Sequence, residues 1–164
     1  MSEHPSDAAE GPHWYQDGLR FTCTQCGNCC TGGPGAVWFT AEEGQLIAAR
    51  LGLSEAAFLD RYTRRVGARR SFTEHETDYG FDCVFLARTG AHGRCSIYDL
   101  RPTQCRTWPF WPEIVESPEA WARAKAVTPC PGMDQGETHA FVTIRIAVDR
   151  DRKSMPYRAG GAGG

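Results

Sequence analysis

Eight cysteines constrain this chain more than any other feature, and four of them crowd into "CTQCGNCC": Cys23, Cys26, Cys29 and Cys30. The others are scattered singly at Cys83, Cys95, Cys105 and Cys130. C-x2-C is the spacing at which a backbone wraps round one metal centre and aims two sulfurs at it. Here two such turns run end to end, and Gly27 and Asn28 between them tolerate the left-handed backbone that tight loops need. Three cysteines at C-x2-C-x2-C match the first ligands of a bacterial-type iron–sulfur loop, whose last cysteine precedes a proline. Cys130-Pro131 fits that description, although it lies about 100 residues further on. Side chains of neighbouring residues diverge. Cys30 is therefore expected to serve a second centre with Cys83, Cys95 and Cys105, leaving Cys23, Cys26, Cys29 and Cys130 for the first. The rival arrangement is a single site using six or fewer cysteines, with the rest packed as small apolar side chains.

Disulfides are the competing use of an even number of cysteines, and compartment decides between them. The leading "MSEHPSDAAEGPH" is polar and acidic, with neither the basic nor the apolar stretch of a secretory signal. A cytoplasmic protein is the expectation, and in a reducing cytosol four disulfides would not persist. Vicinal thiols also bridge only with strain. A formal net charge of −2 argues against a protein that coats nucleic acid. No run approaches the roughly 20 apolar residues of a membrane span.

The chain has 164 residues, enough for one domain with a core. Residues 1–16 read as a disordered N-terminal segment, 17–148 as the cysteine-cluster metal-binding domain, and 149–164 as a flexible Gly-rich tail. Thr40 with Glu43 forms a capping box that opens a helix, and Gly52 stops it. A second helix is expected from Ser54, through Phe58, Tyr62 and Val66, to a stop at Gly67. A third starts at Ser117-Pro118 and runs toward Val127. "FVTIRIAV" alternates Val142, Ile144, Ile146 and Val148 onto one face and predicts a strand. "SFTEHETDY" predicts another, and "CVFL" and "CSIY" are expected to pair across "ARTGAHGR". The fold class that follows is α+β: a small, loop-rich single domain organised around cysteine metal sites.

Four thiolates suit zinc and iron–sulfur centres alike. Structural zinc sites usually pair two C-x2–4-C knuckles, whereas this chain has one knuckle region and isolated distal cysteines, which favours an iron–sulfur cluster over Zn2+. Together, "CTQCGNCC", "CVFL", "GRCSIYDLRPTQCRTWP" and the later Cys-Pro resemble the bacterial CxxCxxCC cysteine-cluster proteins (YkgJ-like). The resemblance covers roughly residues 21–133 and implies zinc or iron chelation, with the biochemical role unassigned. A similar cluster accompanies flagellin lysine methylases, which suggests an accessory role in protein modification. This chain has no recognisable methylase cofactor region.

In "YDLRPTQCRTWPFWPE", Asp99 is expected to cap a short helix presenting Cys105. Arg101 and Arg106 are candidate cofactor-binding groups, offsetting the thiolate charge and donating hydrogen bonds. The competing reading makes them surface arginines paired with Asp99 or Glu113. Trp108, Phe110 and Trp111 read as core packing that also limits solvent access. His75, His92 and His139 are competent ligands, but eight thiols already fill two sites. "RYTRRVGARR" reads first as a solvated helix end and second as a site for an anionic partner. No phosphate loop, G-x-S-x-G or H-E-x-x-H is present, so no catalytic group is identifiable. The alternative to a metal-binding protein of unassigned role is a redox or accessory enzyme using an iron–sulfur centre. The metal ion is the one partner the sequence implies.

Overall fold

The computed structural model describes residues 12–158. Among them, short antiparallel strand pairs alternate with helices, which makes the molecule α+β. β1 (Leu19–Phe21) pairs with β8 (Met133–His139), so the first and last strands close on each other. α1 (Ala41–Arg50) begins at the capping box: Thr40 Oγ1 accepts from the Glu43 amide, and the Glu43 carboxylate accepts from the Thr40 amide. α2 (Glu55–Tyr62) is capped by Ser54 but ends a turn earlier than the sequence predicts. Its expected last turn is instead β2 (Thr63–Val66), which pairs with β3 (Arg69–Phe72). Gly67, at φ 60°, is the first residue of that two-residue hairpin turn rather than a helix stop.

Two further hairpins follow, β4 (Glu74–Thr77) with β5 (Gly80–Cys83) and β6 (Leu86–Thr89) with β7 (His92–Cys95). The stretch "SFTEHETDY" is thus divided between β3 and β4. The expected pairing of "CVFL" with "CSIY" is shifted into the turn, where "LART" pairs with "HGRC" around Gly90 at φ 62°. α3 (Thr103–Thr107) and α4 (Pro118–Val127) come next, the latter capped by Ser117 with proline in its first turn.

The strand expected at "FVTIRIAV" is a helix, α5 (Phe141–Lys153). Ile144 and Val148, one turn apart, are 0% and 2% exposed, whereas Val142 and Ile146 are 62% and 49% exposed. A period of two contains a period of four, and it is the latter that packs. Arg150, Arg152 and Lys153 in the last turn complement the helix dipole. α5 carries the packed chain past residue 148, and Tyr157 stacks on Phe39. At the other end Tyr15 is buried. The folded chain therefore extends beyond 17–148 on both sides; residues 1–11 and 159–164, which hold most of the expected disordered segment and the Gly-rich end, lie outside the described residues.

The core is two clusters. One gathers Tyr15, Leu19, Phe21, Phe110, Trp121, Met133, Ile144 and Val148 from both ends of the chain. The other gathers Phe39, Ile47, Phe58, Phe72, Phe85 and Ile97 from the middle. Cys130 packs against the first, and Cys30, Cys83 and Cys95 belong to or pack against the second. No described helix is long and apolar enough to cross a membrane.

Candidate metal centre

The cysteine loop leaves β1 and is pinned at once. Thr22 N donates to Gly132 O at 3.2 Å, and any Cβ on Gly132 would fall 2.2 Å from Thr22 O, so this close crossing requires glycine. Gly27, at φ 78°, caps a 3-10 turn (Asn28–Cys30), and Cys30 N donates back to Gly27 O at 2.9 Å. A Cβ there would meet Gly93 O at 2.6 Å, so the loop rests directly on the β6–β7 hairpin. Asn28 Nδ2 donates to Pro129 O at 2.6 Å, which draws the Cys130 segment to the same place.

The distal cysteines sit at element ends. Cys83 closes β5, Cys95 closes β7, and Cys105 lies on α3. Behind them Asp82 is buried and carries both Nε and a terminal nitrogen of Arg88, with Thr31 Oγ1 donating to its Oδ1 at 2.5 Å. That network joins the cysteine loop to two hairpins.

Cys23, Cys26, Cys29, Cys30, Cys95 and Cys130 line one pocket with Tyr98, Arg101 and Trp108. The cavity measures about 40 Å³. Cys83 and Cys105 stand just behind it: the charge of Cys29 bears on both, and on Cys95. The Cys29 and Cys30 sulfurs are 3.9 Å apart. The expected divergence of neighbouring side chains fails here because the two residues sit in a tight turn rather than on an extended strand. The sulfur separation matches one edge of a tetrahedron with metal–sulfur bonds of 2.3 Å, about 3.8 Å. In this fold the Cys29 and Cys30 sulfurs therefore lie side by side.

The electrostatics favour a cation. The hydrogen bond between the Cys29 and Cys30 sulfurs, aided by Arg101, brings the Cys29 pKa down to about 7. Cys30 itself is pushed up by that same bond and by burial. Burial pushes Cys83 up to about 11 and raises Cys95 and Cys105, with the neighbouring thiols adding to the effect on each. These sulfurs resist ionising beside one another, and a bound metal ion reverses that logic. Among the described residues no three His, Cys, Asp or Glu side chains are yet drawn in around one ion. The donor set has the chemistry for a soft metal, and binding would have to tighten the loop around it.

A protein-family model described as "CxxCxxCC: Putative zinc- or iron-chelating domain" matches residues 22–131, more than half of the chain. The chain belongs to the CxxCxxCC family. No solved structure matches it. In this CxxCxxCC protein all eight cysteines fall inside the matched stretch, and all are free thiols.

Of the two arginines expected at the centre, Arg101 borders the thiol pocket and Arg106 does not. Arg101 lines the pocket, stacks its guanidinium 3.7 Å above the Tyr98 ring and donates from Nε to Tyr98 O at 2.9 Å. Arg106 is not among the lining residues. It is an exposed arginine 3.4 Å from Glu43 and 3.1 Å from Thr103 Oγ1, because α3 turns it toward α1. Asp99 caps nothing on α3, whose N-cap is Pro102; it pairs with Arg50 at 2.5 Å. His75 and His92 are exposed, and His139 Nε2 is 2.8 Å from Phe21 O; none lines the pocket. The arginine run forms the β2–β3 hairpin. There Arg64 reaches Gly35 O and Glu74, Arg70 donates to Leu59 O and Thr63 Oγ1, and Arg69 lies over Trp38.

Sequence reasoning missed two pocket residues. Tyr98, whose phenol is pushed up by the adjacent Cys23 thiol, lies in the "SIYDLRP" stretch between two cysteines, a position that offered a signal. Trp108 is expected as core packing that also limits solvent access, with no role for its indole N–H. It packs edge-on against Trp111, at 5.0 Å, yet its Nε1 is buried without a hydrogen-bond partner, the one such side-chain nitrogen or oxygen among the described residues.

Proposed function

We infer that this CxxCxxCC protein is a thiolate chelator of iron, held as an iron–sulfur centre, working in a reducing compartment such as the cytoplasm. The observation that carries the reading is convergence. Cysteines separated by up to about 100 residues line one pocket, and the two behind it feel the same charges. Eight cysteines with no disulfide among the described residues suit reducing surroundings. Cys23 and Cys29 are exposed, which gives the centre a solvent-facing edge suited to electron transfer or to an accessory role in protein modification.

Zinc is the second reading, and one observation favours it. The 3.9 Å between Cys29 and Cys30 suits two thiolates on one ion. Zinc allows that pairing, as does a two-iron cluster, where four cysteines serve two irons; a four-iron cluster with one cysteine per iron does not.

Anaerobic purification followed by a visible spectrum with iron, zinc and acid-labile sulfide analysis tests the reading. A brown protein with iron and sulfide in cluster ratio supports it, and a colourless zinc protein replaces it with the second. Cys26→Ser, which alters the pocket, and Cys105→Ser, behind it, should each lower metal content and solubility together. Wild-type metal content in both variants would sink chelation by this pocket.

A further inference from the structure

The unpartnered Trp108 indole N–H has no explanation in packing alone. Trp14, Trp111 and Trp121 each spend theirs on an oxygen at 2.8–2.9 Å. Trp108 is half-buried and packed edge-on against Trp111, and its Nε1 is the part of it that is buried. A buried donor left unpaired is costly, and native proteins leave few without a ligand, ion or water to accept from them. Trp108 lines the thiol pocket, yet no cysteine sulfur there accepts from it. The missing acceptor is therefore an atom that the described residues do not supply.

Resting on the chelation reading, the geometry points to Trp108 Nε1–H as a hydrogen-bond donor to an inorganic sulfide of a bound iron–sulfur centre. Trp108 is a positioning residue that tunes the centre and holds no metal itself. A hydrogen bond to a cluster sulfur disperses the negative charge that reduction adds, so it raises the reduction potential. Zinc bound by thiolates alone holds no inorganic sulfide, so the two readings differ in the sulfur this N–H would meet and in whether a reduction potential exists to be tuned.

Trp108→Phe keeps a ring and removes the donor, and Trp111→Phe is the control because that N–H is already spent on Gln104 O. Both variants and wild type are reconstituted anaerobically with ferrous iron and sulfide, then titrated for reduction potential. The 15N-indole signals of wild type are compared before and after loading. The expected result is unchanged iron and sulfide in W108F with a potential below wild type, W111F matching wild type, and a Trp108 Nε1–H signal that moves on loading. An unchanged potential in W108F, or a Trp108 signal indifferent to loading, overturns the proposal. Should W108F not fold, the signal carries the test, assigned by elimination from Phe variants of the other tryptophans. Wild type that takes up zinc but no iron and sulfide overturns the proposal while leaving chelation standing. Wild type that takes up neither metal overturns both.

Discussion

Glu43 serves two helices with one carboxylate. Its Oε2 accepts from the Thr40 amide and closes the capping box of α1, while its Oε1 accepts from Thr103 N at 2.8 Å and Thr103 Oγ1 at 2.7 Å. The second pair matters more for the centre, because Pro102 gives α3 no side-chain cap and Glu43 takes that place across space. Thr40→Ala should cost about 1 kcal/mol, the usual worth of an N-cap, and leave metal content unchanged. Glu43→Ala should cost more than Thr40→Ala and lower metal content, because the start of the helix carrying Cys105 loses its acceptor. Equal losses in the two variants, by chemical denaturation and metal analysis, would show that the bond to α3 contributes nothing. At this scale the sequence was legible in part. Thr40 and Glu43 announced their mutual bond through a three-residue spacing, but nothing local announces a bond to Thr103. The Trp108 N–H was illegible for the same reason, since a missing partner is a property of the tertiary surroundings.

Elements were read well where their ends carry their own chemistry. The Thr40 and Ser117 caps place α1 and α4 within a residue. They were read poorly where a pattern admits two periods. Residues 142, 144, 146 and 148 satisfy a strand, but one buried face with 144 and 148 on it satisfies α5 equally well, and only the packing decides. That resolution has an energetic signature. Ile144→Ala should cost about 2–5 kcal/mol as a core truncation, whereas Ile146→Ala should stay within about 0.5 kcal/mol. Comparable losses at both positions would contradict the helix. Gly67 and Cys30 teach the related lesson: a glycine after a helical stretch also suits a hairpin, and two adjacent cysteines need not part when the backbone between them is a tight turn.

For the molecule as a whole, the thiols join what the side chains leave in two parts. One core cluster is built from the two ends of the chain and the other from its middle; Cys130 packs against the first, and Cys30, Cys83 and Cys95 belong to or pack against the second. A metal bridging Cys130 to the thiols of the middle cluster would tie the two cores together, and its binding energy would become folding energy. Removing metal with a chelator under reducing conditions should lower the melting temperature. It should also turn a single calorimetric transition into two. A metal-free protein that melts as one unit at the same temperature would show that the two cores hold each other unaided.

The pairing of β1 with β8 also sets an order of events during synthesis. Phe21 finds Met133, and Asn28 finds Pro129, only after about 100 more residues have been made, and at ~5–20 residues per second that takes about 5–20 s. Throughout that interval the nascent chain carries four closely spaced thiols with neither their strand nor Cys130 to shelter them. The pocket is begun first and finished last, so a cell making this protein must keep oxidants and stray metal ions away from a ribosome-bound loop until the far end arrives.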